Sequence, residues 1–266
     1  MDHKKAFKNN SSVIKWCGYE WSCNMEGGRL IHADLPWYWM DKDNVKIFTD
    51  DDYCRVIELS LEHKDNTVKH WNGNTYHPTE ACGTIRTING FSYGTFSADI
   101  KLPHGYNLWP SFWLSGEANW PPEIDIMEAW SYNDNCFVLT QPQFPWFNPG
   151  WKTTNNVHYL KDNMEKTHAG SNNISIFKQS KNPMDNFVNY KVDWFPDSIT
   201  FYVNDKVVRR IGKEIANDLT QNINKPEKGF KMNVIFNVWC ENPEKFDVEC
   251  TTPMQIKNFK YKPYIN

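Results

Sequence analysis

ITFYVNDKVVRRI (Ile199–Ile211) sets two β-branched runs on either side of Asn204-Asp205, a pattern that predicts a hairpin closed by a two-residue turn. The same period-two signal continues outward from it. Phe96, Ala98, Ile100 and Leu102 alternate with Thr95, Ser97, Asp99 and Lys101, as on a strand with one buried face. Ile57, Leu59 and Leu61 alternate with Glu58, Ser60 and Glu62 in the same way, and KMNVIFNVWC (Lys231–Cys240) reads as a strong strand. Only RIGKEIANDLTQNI (Arg210–Ile223) has the pattern of a short helix. Many short strands with turns between them and almost no helix predict an all-β sandwich or jelly roll. The pattern runs from before residue 60 to about residue 261 without a repeat, a low-complexity linker or a shift in composition, so one domain over residues 1–266 is expected. QPQFPWFNPGWKTT (Gln141–Thr154), with three Pro and two Trp, reads as a long loop beside a strand.

Composition narrows the function classes. Apolar residues make up 40% of the 266, enough for a sizeable core, and a formal net charge of -3 leaves no basic footprint for nucleic acid. No apolar run approaches the roughly 18 residues of a membrane helix. The basic start, MDHKKAFKNNSSVIKW, lacks an apolar signal core. It predicts either an intracellular protein or an exported one whose signal is not in this chain. Thirteen Trp, 12 Tyr and 16 Phe are many. They suit either a large aromatic core or a groove that stacks the flat apolar faces of sugar rings. Seven Cys leave at least one thiol unpaired, and no C-x-x-C occurs. Buried free thiols are expected, with short-loop pairs Cys17–Cys23 or Cys240–Cys250 as the alternative in an oxidising compartment.

The chemistry is concentrated in NLWPSFWLSGEANWPPEIDIMEAW (Asn107–Trp130). In EIDIME, the carboxylates Glu123, Asp125 and Glu128 are interleaved with Ile124, Ile126 and Met127, which is a strand pattern. Glu123 and Asp125 share a face, whereas Glu128, five positions on, points the other way unless one residue is bulged near Ile126-Met127. Three carboxylates on one face repel and shift one another's pKa values, an arrangement suited to acid–base work. Glycosidic hydrolysis needs one carboxyl as proton donor and a second as nucleophile or base. Two other readings stay open on spacing alone: an acidic edge strand facing solvent, and a calcium site. The Ile and Met between the carboxylates lack the turn glycine and carbonyl-rich loop of a calcium site.

EIDIME, preceded by LWPSFWL and YGTFSADIKLP, resembles glycoside hydrolase family 16, and within it the laminarinase-like branch with a bulged catalytic strand. The likeness runs from about ACGTIRT (Ala81–Thr87) to YKVDWFPDSITFYVND (Tyr190–Asp205), with PMQIKNFKYKPY (Pro253–Tyr264) as the closing strand. It implies a β-jelly roll of two curved antiparallel sheets with substrate in the concave cleft. By motif position it implies Glu123 as nucleophile, Glu128 as general acid/base, and Asp125 between them. Trp109 and Trp113 match aromatic positions bordering the cleft, and alternation puts them on one face. His158 in NNVHYL matches a residue that contacts sugar near the cleaved bond, and Arg86 in GTIRT a polar position facing a sugar hydroxyl. Trp120, before two prolines, is expected at the rim, and Trp130 on the face of Glu128. Each has a bland alternative: a core Trp, a structural His, a surface ion pair for Arg86. Asp99 stands where the family carries a basic residue, so a local salt bridge is missing or reversed. FPWFNPGW (Phe144–Trp151) is extra length expected to reshape one end of the cleft.

The resemblance implies an endo-acting retaining β-glycosidase on a polysaccharide. A β-1,3- or mixed β-1,3/1,4-glucan comes first, with a β-galactan (agar, porphyran, carrageenan or a host-glycan backbone) as the runner-up. Only five Arg tilt the choice toward a neutral glucan, against 24 Lys. A sugar-binding protein that had lost catalysis is expected to lose a glutamate as well, and all three carboxylates are present. Transglycosylation uses the same intermediate and stays open. No cofactor is required; the family allows a structural Ca²⁺ away from the cleft, and no metal is expected in the site. A monomer acting outside the cell or at its surface is expected, with an intracellular placement as the alternative.

Overall fold

The computed structural model describes residues 13–24, 35–70, 72–117, 120–129, 131–133, 136–137, 153–160, 166–168, 182–216, 230–240, 242–245 and 251–265, with the backbone alone for 131–133, 136–137, 160 and 166–168. In chain order the strands are β1 (Val13–Trp16), β2 (Tyr19–Ser22), β3 (Tyr38–Met40), β4 (Val45–Thr49), β5 (Arg55–Leu59), β6 (Leu61–His63), β7 (Val68–Lys69), β8 (Thr75–Tyr76), β9 (Glu80–Cys82), β10 (Thr84–Thr87) and β11 (Gly94–Lys101). They continue with β12 (Leu108–Gly116), β13 (Glu123–Glu128), β14 (Ser131–Asn133), β15 (Cys136–Phe137), β16 (Thr154–Leu160), β17 (Lys166–His168), β18 (Val188–Phe195), β19 (Ser198–Val203), β20 (Lys206–Ile211), β21 (Met232–Cys240) and β22 (Met254–Pro263).

Two large sheets form a β-jelly-roll sandwich. One has the order β1-β2-β10-β21-β12-β13-β16-β17 and the other β20-β19-β18-β11-β22-β5-β4. Among the described residues their strand pairings are all antiparallel. β11 alternates buried and half-buried along its whole length, as does β18 beside it. β21 sits between β10 and β12 and is buried at every position. The sheets close on one aromatic core in which Phe259 of β22 meets Trp16, Trp21 and Phe236 of the other sheet. Phe236 also stacks on Phe112, centroids 4.4 Å apart. Two of the buried indoles pair their N–H groups: Trp16 donates to the Arg55 carbonyl and Trp21 to the Trp16 carbonyl, each at 3.0 Å.

The Asn204-Asp205 hairpin forms as the sequence predicts, with φ of 48° and 60° at the two turn residues, the type I′ geometry whose twist matches that of the strands. The strand expected over residues 57–62 divides at Ser60. There the chain passes from β5 in the second large sheet to β6 in a small sheet ordered β3-β9-β6. Ser60 N–H turns to the Asn44 carbonyl, and Gly83 N–H takes the Ser60 carbonyl. Gly83 has to be glycine at this crossing, because a Cβ would lie 2.5 Å from the Asn44 carbonyl oxygen. The helix expected over Arg210–Ile223 is shorter where described. Arg210 and Ile211 stay paired in β20, one helical turn covers 213–216, and 217–223 lie outside the described residues. The loop residues 141–152 lie outside as well. Asp99 accepts from the Asn189 and Asn258 amides, 2.8 Å each, so amides meet the carboxylate where the family places a cation. Cys17, Cys23, Cys54, Cys82 and Cys240 are free thiols, and Cys23, Cys82 and Cys240 are buried.

Phe236 links more rings of both sheets than any single contact explains, so Phe236→Ala is expected to lower unfolding free energy by about 3–5 kcal/mol in a urea melt.

Candidate active site

β13 carries the bulge that its composition predicts. Against β12 the register runs Phe112 to Met127 and then Trp113 to Asp125, which leaves Ile126 without a partner. Against β16 it runs Asp125 to Asn156 and then Glu128 to Thr154, three residues of β13 spanning two of its neighbour. Ile126 and Met127 are both buried in the core. The extra residue returns Glu128 to the face shared by Glu123 and Asp125.

Cross-strand partners share a face, so the register lays out the site in rows. Glu123 lies in line with His158 on one side and with Ser115 and Asn233 on the other. Asp125 is in line with Asn156, Trp113, Ile235 and Arg86. Glu128 is in line with Thr154, Ser111, Asn237 and Thr84. Trp109 and Trp239 pair in the next row.

Each of the two glutamates receives an indole N–H. Trp109 donates to Glu128 Oε1 at 3.0 Å, and Trp120 to Glu123 Oε2 at 2.8 Å. His158 Nε2 lies 3.3 Å from Glu123 Oε1, 3.2 Å from Asp125 Oδ2 and 3.2 Å from the Asn156 amide nitrogen. Trp113 is on the cleft face but 9% exposed, with its N–H given to Asn237 Oδ1 at 2.7 Å. It therefore forms floor more than wall. Trp239 ties the floor together, meeting Trp109 and Trp113 edge-on and stacking on Tyr38 at 4.8 Å. Trp120 stands at the rim, 49% exposed, its ring 5.9 Å from that of His158.

Among the described residues, one predicted residue is not brought to the acidic cluster. Arg86 is buried, donates to Asn233 Oδ1 at 2.5 Å, and sits three strands from β13, on the order of 14 Å away. Trp130 lies outside the described residues. Sequence reasoning missed Ser111, Asn156, Asn233, Asn237 and Trp239. The signal for three of these was present: Asn233, Asn237 and Trp239 fall at even spacings in an otherwise apolar strand, on the face that carries the chemistry.

Burial dominates the electrostatics. It pushes all three carboxyls above their ordinary range, and their mutual repulsion adds to it. Glu128 is raised to about 7, with the Trp109 N–H opposing the rise. Glu123 and Asp125 are raised well above the ordinary range, chiefly by burial; their mutual hydrogen bond adds to the rise at Glu123 and opposes it at Asp125. Glu123, Asp125 and His158 bring one ligand atom each within 4.8 Å of one another. An all-oxygen cage is what calcium takes, and this set includes an imidazole. Its nitrogen already lies between the two carboxylates, as in an acid–base relay.

A carboxyl whose folded pKa exceeds its unfolded one weakens the fold as pH rises through the folded value. Glu128→Gln removes that ionisation. It is expected to leave stability near pH 5 little changed and to raise it above pH 7, by on the order of 2 kcal/mol, in denaturant melts at the two pH values.

A profile of glycosyl hydrolases family 16 matches residues 36–254. An endo-1,3-1,4-β-glycanase of Rhizobium meliloti (strain 1021) is 24% identical over 131 residues, which are 48% of this chain and 23% of that protein. A β-1,3-glucan-binding protein of Penaeus monodon is 29% identical over 223 residues, 76% of this chain and 53% of that protein. The chain thus spans at most about half the length of these two relatives. Among solved structures, the κ-carrageenase from Pseudoalteromonas carrageenovora superposes with a TM-score of 0.58 at 14% identity, over 94% of this chain and 98% of that one, a likeness of fold. With the profile match spanning most of its length and the bulged acidic strand in place, the chain belongs to glycosyl hydrolase family 16.

Proposed function

We propose that the protein is an endo-acting, retaining β-glycoside hydrolase that cleaves a β-1,3- or mixed β-1,3/1,4-glucan by double displacement. The observation that carries this is the pair of glutamates on one face of a bulged strand, each held by its own indole N–H. Placed on one strand with Asp125 between them, they face the same side of the sheet. That proximity suits a nucleophile and a proton donor better than two carboxylates separated by a water.

In the first step the Glu123 carboxylate attacks the anomeric carbon as Glu128 protonates the departing glycosidic oxygen. In the second, Glu128, now ionised, takes a proton from water, whose oxygen displaces Glu123 from the same carbon. Two inversions leave the β configuration unchanged. A Glu128 pKa of about 7 supports both duties, since near neutrality the carboxyl is poised to give a proton and then accept one. The exposed edge of Trp120 and the half-buried Trp109 offer flat faces for sugar rings along the cleft. A neutral glucan fits an arginine-poor chain, and glucan is the polymer named in the description of the Penaeus monodon relative. A polymer substrate in turn favours action outside the cell.

Incubation with laminarin, mixed-linkage glucan, agarose, porphyran, carrageenan and mucin glycans is expected to release oligosaccharides from a glucan, first as the β anomer by proton NMR. Glu123→Gln is expected to lower the rate by at least about a thousandfold. Products from a galactan alone would keep the mechanism and overturn the glucan; binding without products would overturn the enzyme. For the wild type, kcat/KM is expected to fall above about pH 7, where Glu128 loses the proton it must donate, and Glu128→Ala acting on an aryl glycoside with a good leaving group is expected to lack that decline in its first step.

A further inference from the structure

We infer that Trp120 is a positioning residue for the nucleophile: its indole N–H holds Oε2 of Glu123, so that Oε1 is the oxygen that attacks the anomeric carbon. This rests on the role of Glu123 proposed above.

The two oxygens of Glu123 are held unequally. Oε2 accepts from Trp120 Nε1 at 2.8 Å. Oε1 lies 3.3 Å from His158 Nε2, a nitrogen that is also 3.2 Å from Asp125 Oδ2 and 3.2 Å from the Asn156 amide. The shorter bond comes from an indole, which donates only and does not titrate, so it favours the carboxylate over the acid at every working pH. The longer contact is to an imidazole that has other partners. Attack by Oε1 gives up the weaker interaction and keeps the stronger.

The bonding changes balance around this assignment. Oε1 forms its bond to the anomeric carbon while the bond from that carbon to the leaving oxygen breaks, and the leaving oxygen takes the Glu128 proton. Oε2 becomes the ester carbonyl and still accepts from Trp120. When water displaces the ester, the electron pair of the carbon–Oε1 bond returns to Glu123, and the N–H faces the returning charge. One fixed donor thus serves both steps, as preorganised dipoles do.

Its location adds a dependence on substrate. The Trp120 ring is half exposed and leans toward His158 at the edge of the site. A sugar lying on it shields the N–H···Oε2 bond from water, and a shielded bond to a charged acceptor is stronger. Among the described residues, the titratable groups facing Glu123 are Asp125 and Glu128 of its own strand and His158 of β16; β12 presents the uncharged Ser115.

Trp120→Phe keeps an aromatic face and removes the N–H, whereas Trp120→Ala removes both. Trp120→Phe is expected to lower kcat about tenfold with KM changed less than about twofold. It should also move the acid limb of kcat/KM upward by about half to one pH unit, because the carboxylate loses a donor. Trp120→Ala is expected to match that loss and raise KM as well. A carbon-13 NMR titration of glutamate-labelled protein, with Glu123→Gln assigning the resonance, is expected to show the same upward shift in Trp120→Phe. That readout needs no turnover, so silence on every polysaccharide would overturn the hydrolase reading while the titration still decided this one. An unchanged Glu123 titration, or a Trp120→Phe effect confined to KM, would overturn the positioning role and leave Trp120 a sugar platform alone.

Discussion

One extra residue in β13 sets the terms for the rest of the molecule. Without the bulge at Ile126, Glu128 would point into the core and Met127 into the cleft, and the face would hold two carboxylates, not three. With it, three acids are crowded onto a largely buried face, where burial first and a neighbouring carboxylate second raise the pKa of each. Such a cluster persists only if neighbouring groups supply what water would. The surrounding strands do this with side chains at alternate positions: an indole for each glutamate and an imidazole between Glu123 and Asp125.

The abundance of tryptophan follows from that requirement together with the demands of the core. Trp16, Trp21 and Trp194 fill the space between the sheets. Trp109, Trp113 and Trp239 pave the opposite face of one sheet, and Trp120 stands above it. Some of the rings thus belong to a large aromatic core, and others lie on the face that carries the three carboxyls. The floor is braced from behind as well. Tyr38, on the small sheet that the chain enters after Ser60, stacks on Trp239, and Trp37 donates to the Cys240 carbonyl at the end of β21. The break in the strand at Ser60 thus has a use: it leads the chain to the elements that back the cleft floor.

What could be read from sequence was what is local. The hairpin at Asn204-Asp205, the alternation of β11 and the bulge in EIDIME each depend on residues within a few positions of one another, and the periods of the side chains report them directly. Partnerships across the sheet were not local. Arg86 and Asn233 are 147 residues apart, and Trp113 and Asn237 are 124 apart. A motif could therefore place Arg86 on the correct face without showing that its guanidinium is held well away from the carboxylates. The division at Ser60 was invisible for the same reason, since the groups that draw the chain away, Asn44 and Gly83, lie outside the strand.

The two glutamates start alike in charge and in strand, and their surroundings make them different. Glu128 has a single indole donor and a pKa near neutrality, which suits a group that must hold a proton, release it and take it back. Glu123 has a neighbour on both oxygens, the Trp120 indole on one and the His158 imidazole on the other. Asp125, 3% exposed, is pushed well above the ordinary carboxylate range by burial and by the neighbouring Glu128 charge, while its hydrogen bond with Glu123 opposes that rise. The surroundings thus tell the two glutamates apart without reference to any motif: one has a single indole donor, the other a neighbour on each oxygen.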